Sequence, residues 1–71
     1  MLFSRHAKRR MRQRSIGQGR VRRAAHGKKT HQGKGVYRSE TEAAGITTVV
    51  VYKKRGARKI LLSAWKKRHI L

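Results

Sequence analysis

Glu40 and Glu42 are the only acidic side chains in this sequence, set against 21 lysines and arginines, which leaves a formal net charge of +19 over 71 residues. Charge of one sign repels itself and opposes compaction. Internal ion pairing cannot absorb the excess, because the carboxylates are missing. The chain is therefore expected to meet a polyanion, and nucleic acid, RNA first, is the expected partner. A domain of this length buries only about 60% of the surface that its unfolded chain exposes, so its intrinsic stability is expected to be marginal.

The cations do not collect in one tail. They lie in the opening segment, around 20–23, in 28–34, in 53–59 and at 66–68. This spread points to one folded domain over 1–71 with a cationic face, ending in a basic C-terminal tail at 66–71 that can extend the last strand. A membrane-surface helix would need a stripe of large apolar residues, and 5–14 offers only Ala7 and Met11. With no run of 18 apolar residues and no apolar segment of the secretory type at the start, neither a bilayer span nor secretion is expected. The Arg-rich, acid-free opening also has the composition of a mitochondrial presequence, but a helix of a basic protein is preferred, and the expected location is cytoplasmic. The absence of Cys rules out disulfides and thiolate zinc sites.

Phe3, Ala7 and Met11 recur every fourth residue, as one face of a helix requires. Ser4 is placed to cap it, giving a first helix over about 4–14. Two glycines in Ser15-Ile16-Gly17-Gln18-Gly19 mark a break, with Ile16 as an anchor into the core. A second helix over about 20–26 has Val21, Ala24 and Ala25 as its apolar side and Gly27 as the residue that closes it. Residues 28–35 read as loop or frayed strand. Strands are expected at about 35–39, 46–53 and 58–66, the second being β-branched almost throughout. Residues 40–45 form the connection, and Lys54-Arg55-Gly56 the turn of a hairpin. Both faces of these strands carry apolar residues, so helices are expected to cover one. The fold class is α+β, with two N-terminal helices packed on a small antiparallel sheet of three or four strands.

The string Ser4-Arg5-His6-Ala7, followed by Arg10-Met11 and Arg14-Ser15-Ile16, resembles the start of a bacterial domain family of unassigned function. In that family a helix of this kind precedes a short helix and a β-meander. Val21 to Gly27, Val49-Val50-Val51 and Ile60-Leu61-Leu62 fall where its short helix and hairpin strands belong, so the resemblance covers about residues 3–66. That family is similar in layout to the BrnT and RelE toxins of toxin–antitoxin systems, and Arg58 to Lys67 resembles the last strand of BrnT-type proteins, with Trp65 at a position that is basic there. The resemblance implies a RelE/BrnT-like fold, a small endoribonuclease that inhibits translation, and an acidic antitoxin as protein partner.

RNA can be cleaved without metal by attack of its own 2′-hydroxyl on the adjacent phosphate. Arginine and lysine stabilise the charged oxygens, and His, Tyr or Lys move the protons. Two glutamates on one expected connection are too few ligands for a metal-dependent nuclease, and no cofactor is expected. His6, Tyr37 and Tyr52 are the candidate catalytic groups. For His6 the competing reading is a residue that positions its helix; for the tyrosines it is simple strand preference, with base stacking as a further role. Arg5, Arg9 and Arg10 are candidate phosphate clamps, or else a solvated helix face. Lys53, Lys54, Arg55, Arg58, Lys59, Lys66 and Lys67 are candidate contacts to the RNA backbone, or else charges that guard strand edges. Trp65 reads as core or partner interface. His26 and His31 lack a third metal ligand, and Gly27 to Gly35 has the wrong spacing for a phosphate-binding loop.

A toxin-like RNA-binding domain is thus the expectation. A non-catalytic RNA-, DNA- or ribosome-binding protein and a module for an acidic protein partner are the alternatives. If six to ten phosphates are neutralised, RNA affinity is expected to fall by about 10³–10⁵-fold between 50 and 200 mM salt, as read by filter binding across a salt series.

Overall fold

A computed structural model of the chain describes residues 1–68. The elements are β1 (Leu2–Phe3), α1 (Arg5–Gln13), α2 (Gln18–Ala25), β2 (Lys28–Gly33), β3 (Val36–Ala43), β4 (Ile46–Arg55) and β5 (Arg58–Arg68). They form one sheet in the order β1-β5-β4-β3-β2. Strands β2 to β5 make an antiparallel meander, and β1 adds to β5 in parallel. The α+β class and both helices are as the sequence implies, but the sheet has five strands and is mixed, not three or four and purely antiparallel.

The differences have local causes. Strand β2 (KKTHQG) is exposed along nearly its whole length, so it carries no burial alternation. It is held by pairing with β3, with the turn at Lys34-Gly35, where both residues have positive φ (51° and 76°). Residues 40–43 do not connect strands but continue β3. The turn is Ala44-Gly45, with φ of 53° and 75°, and Ala43 pairs with Ile46. Two successive left-handed residues suit the twist of a hairpin. Phe3 lies not in the first helix but in β1, opposite Leu61, and packs against the core. Lys66, Lys67 and Arg68, the start of the basic tail, extend the last strand, opposite Thr48, Thr47 and Ile46. The remainder of that tail, 69–71, lies outside the described residues.

Helix α1 starts where the Ser4 hydroxyl accepts the Ala7 N–H at 3.0 Å, satisfying one of the unpaired donors of the first turn. Ala7 and Met11 are buried, and α1 lies over β5. The chain then turns through Ser15, at φ 54°, and returns an Ile16 N–H to the Met11 carbonyl, which drives Ile16 into the core. Helix α2 lies over β3 and β4. Gly27 has a role beyond ending α2. A side chain there would collide with the Glu40 carbonyl oxygen, so glycine is what lets the corner between α2 and β2 lie against β3.

One face of the sheet meets the helices. Tyr52, Val50, Leu61 and Ala64 pack there with Ala7, Met11, Ile16, Val21, Ala24 and Ala25. Ser39 is fully buried beneath α2, and its hydroxyl donates to the Ala24 carbonyl. Because side chains alternate along a strand, the neighbours of Ser39 and Val50 point the other way. Arg38, Glu40, Val49, Val51 and Trp65 lie on the opposite, open face. There Arg38 sits over the Trp65 ring at 5.5 Å from its centroid, and Val49, between Glu40 and Trp65 in the ladder, is fully buried without any helix above it. A register shift after Val51 leaves Leu62 without an opposite residue and exposed. Among the described residues no helix is long and apolar enough to cross a membrane.

Two glycines separate close approach from mere flexibility. Gly27→Ala is expected to lose about 2 kcal/mol or more of stability in urea unfolding, because backbone must move to admit the methyl group. Gly19→Ala, in α2 with open space around it, is expected to gain about 0.5 kcal/mol from helix preference.

Candidate nucleic-acid interface

Both layers of the molecule are cationic, and the two carboxylates are confined to the sheet. Arg5, Lys8, Arg9, Arg10 and Arg12 are exposed on α1, and Arg22 and Arg23 on α2. Both glutamates lie on β3 at positions that alternate with Ser39 and Thr41, so they occupy the open face of the sheet, away from the helices. Neither helix has an acidic residue in its first turn, and both have arginines in the last, where they favour the helix dipole. Cations at the layer boundary use oxygens other than carboxylates: Arg14 donates to the Ala64 carbonyl at 2.7 Å, and Lys66 to the Ser15 carbonyl at 3.2 Å.

On the helix side, one row of the sheet is aromatic. His31, Tyr37 and Tyr52 are opposite one another on β2, β3 and β4. The His31 and Tyr37 rings stack with centroids 4.8 Å apart, and Tyr37 and Tyr52 with centroids 5.6 Å apart. The Lys59 ammonium lies 5.3 Å from the Tyr52 centroid, within reach of a cation–π attraction. Lys59 also lines a cleft of about 230 Å³ with Met1, Arg22, Ala25 and His26. Access grades along the row, since His31 is exposed, Tyr37 half-buried and Tyr52 buried. Burial, and secondarily the neighbouring Tyr37, push the Tyr52 phenol above its usual pKa. At neutral pH Tyr52 is a proton donor and not a base.

The candidate residues divide among several places. Tyr37 and Tyr52 are in direct ring contact. His6 is exposed on α1, the helix over β5, and the imidazole that stacks on Tyr37 is His31 instead. Arg5, Arg9 and Arg10 share the helix layer. Around the β4–β5 hairpin, Lys54 follows the alternation of Tyr52 toward the helix side, whereas Lys53, Arg55 and Arg58 fall on the open face. Lys66 faces the helices through its bond to Ser15, and Lys67, the next residue, faces away. Lys59, a candidate RNA contact from sequence, lies on the helix side at the Tyr52 end of the row, whereas Arg22, His26 and His31 were not singled out as RNA contacts from sequence. The signal for His31 was available only once 28–33 is read as a strand, which puts it level with Tyr37. Trp65 is half-buried on the open face under Arg38, away from the aromatic row.

Chemically, this arrangement offers a stack of rings whose exposed member is His31, cations at its other end, and a second imidazole, His26, beside those cations. Stacking suits an unpaired base, guanidinium and ammonium suit phosphate, and imidazole is the side chain suited to proton transfer near neutrality. Among the described residues no group of three or more His, Cys, Asp or Glu is arranged to hold a metal. Comparison of the chain with protein-family models, with curated proteins and with solved structures finds no match.

The raised Tyr52 pKa has a stability consequence with a definite sign. Above pH 10, the usual tyrosine value, the unfolded chain has lost a proton that the folded chain retains, so stability declines as pH rises toward the folded-state value. Tyr52→Phe is expected to flatten that alkaline decline, and Tyr37→Phe to leave most of it. Urea unfolding between pH 8 and 11 reads the difference.

Proposed function

We propose that this chain is a small RNA-binding protein of the RelE/BrnT toxin type, which grips RNA through its helix layer and cleaves it without metal at the aromatic row. The observation that carries this reading is the His31–Tyr37–Tyr52 stack, ending under Lys59 beside the cleft that holds Arg22 and His26. A base stacked on His31, at the open end, leaves the RNA backbone to run along the row to cations at the far end that have no competing carboxylate on their side of the sheet.

In the proposed reaction the 2′-oxygen attacks the adjacent phosphorus while a base takes its proton. The bond from phosphorus to the 5′-oxygen breaks, and an acid protonates that oxygen. The products are a 2′,3′-cyclic phosphate and a 5′-hydroxyl end. At the cleft His26 is the base that takes the proton, Lys59 is the acid that gives one to the leaving oxygen, and Arg22 holds the charged phosphate oxygens; His31, at the other end of the row, seats the nucleobase. Arg5, Arg9 and Arg10 on α1 extend the backbone contact. In a cell the substrate would be cytoplasmic RNA, translated mRNA included, and an acidic antitoxin covering the helix layer would hold the activity off.

A second reading has its own support. With His6 exposed on α1 and Tyr52 buried and protonated, a binding protein that uses the same surface on RNA or the ribosome without cutting is the alternative.

Purified protein incubated with RNA, with and without ribosomes, separates the two. Cleavage is expected to persist in EDTA and to fall by about 10²-fold or more in His26→Ala and in Lys59→Gln. RNA that is retained by the protein but stays intact under all these conditions would leave the binding reading and remove the catalytic one. Growth arrest on expression, relieved by a co-expressed acidic partner, is the expected outcome for the toxin role.

A further inference from the structure

Away from the aromatic row, on the same side of the sheet, α2 and the ends of β3 and β4 border an open-sided cavity of about 150 Å³, lined by Arg20, Arg23, Thr41, Ala43 and Thr48, of which Arg23 and Ala43 are exposed. Its volume corresponds to roughly five water molecules at about 30 Å³ each. We propose that this cavity is an oxyanion site that takes a phosphate group, separate from the cleft at Lys59. The proposal rests on its own lining, and it draws on the RNA reading only for one of two sources of the phosphate.

The lining is assembled by secondary structure. Arg20 and Arg23 are three residues apart on α2 and therefore neighbours on its surface. Thr41 and Thr48 are opposite each other on β3 and β4, with Thr48 only 1% exposed. Arg20 is half-buried and donates to the Thr48 hydroxyl at the long distance of 3.4 Å. A guanidinium carries five N–H donors in a planar fork, so that one long bond leaves most of its donor capacity for other acceptors. The side chains that would ordinarily supply them are the carboxylates, and here Glu40 and Glu42 flank Thr41 in β3 and so point to the other face. Lys66, opposite Thr48 on β5, is turned to the Ser15 carbonyl. Two guanidinium groups and two hydroxyls around a space of this size match the acceptor-rich, negatively charged oxygens of phosphate, which guanidinium binds in bidentate fashion. Thr48 holds Arg20 in place, and its hydroxyl still has a proton to give.

The test is a titration of the full-length chain with inorganic phosphate at fixed ionic strength, sodium chloride making up the difference, followed by NMR of backbone amides and arginine side-chain N–H groups. The expected result is a saturable shift confined to Arg20, Arg23, Thr41, Thr48 and their neighbours. Arg20→Gln is expected to weaken binding about tenfold or more, the loss of a charged hydrogen-bonding partner. Lys34→Asn removes the same charge in the β2–β3 turn and is expected to leave binding unchanged. Thr48→Val keeps the shape of the buried residue and guards against a folding defect in Arg20→Gln; it is expected to weaken phosphate binding with the amide spectrum otherwise preserved. Shifts that grow without saturation across all arginines, or equal weakening by Arg20→Gln and Lys34→Asn, would overturn the site. Competition by adenosine 5′-monophosphate marks a free nucleotide as the source, and competition by a short RNA lacking terminal phosphates marks the backbone; competition by neither overturns both. The RNA reading fails separately, if wild-type protein saturates with phosphate yet retains no RNA.

Discussion

The helices and the sheet meet largely through alanine. Ala7, Ala24, Ala25 and Ala64 are all nearly fully buried at that boundary, and their small size lets backbone come close to backbone. That closeness allows the Ser39 hydroxyl to reach the Ala24 carbonyl, Arg14 to reach the Ala64 carbonyl and Lys66 to reach the Ser15 carbonyl. In a chain with so few acids, these oxygens do the work that carboxylates usually do at a layer boundary. A bulkier interface would hold the cations away from the main-chain acceptors and leave their charge without a partner.

The same scarcity explains how charge is laid out over the molecule. Placing Glu40 and Glu42 on alternate positions of β3 puts both on the open face, beside Arg38, and leaves the helix side of the sheet without acidic side chains. Arg20 in the cavity and Lys59 on the aromatic row therefore have no carboxylate on their side of the sheet. A slip of one residue in β3 would turn the glutamates inward under α2 and the serine outward. The burial of Ser39 against Ala24 is what selects against it.

Much of the framework could be read from residues. Ser4 as a cap, Ala7 and Met11 as a buried stripe, Ile16 as an anchor and the β-branched run in β4 all follow from short-range rules that the structure obeys. What escaped was decided by pairing and not by pattern. Strand β2 has almost no buried side chain, so no periodicity announces it, and β1 is too short to have a period. The continuation of β3 through Glu40 and Glu42 was obscured because two carboxylates and a threonine look like loop composition, although they alternate correctly. The site suffered for the same reason. Tyr37 and Tyr52 were visible as aromatic residues on strands, but the histidine stacked on Tyr37 sits on the strand that composition hid, while His6, prominent in the helix motif, stands on a different element. Residue type was legible, and company was not.

The two-residue clasp of β1 on β5 ties positions near opposite ends of the chain, with Leu2 beside Ile60 and Phe3 beside Leu61. Every other pairing in the sheet joins neighbouring strands through a tight turn, and such local contacts close at little entropic cost. The meander can therefore assemble early as a ribbon, with the N-terminal clasp and the helices it leads into docking afterwards. Order of assembly would then match order of exposure. The alanine-lined face stays open until the last step, and whatever neutralises the arginines of α1 also governs how readily that step completes.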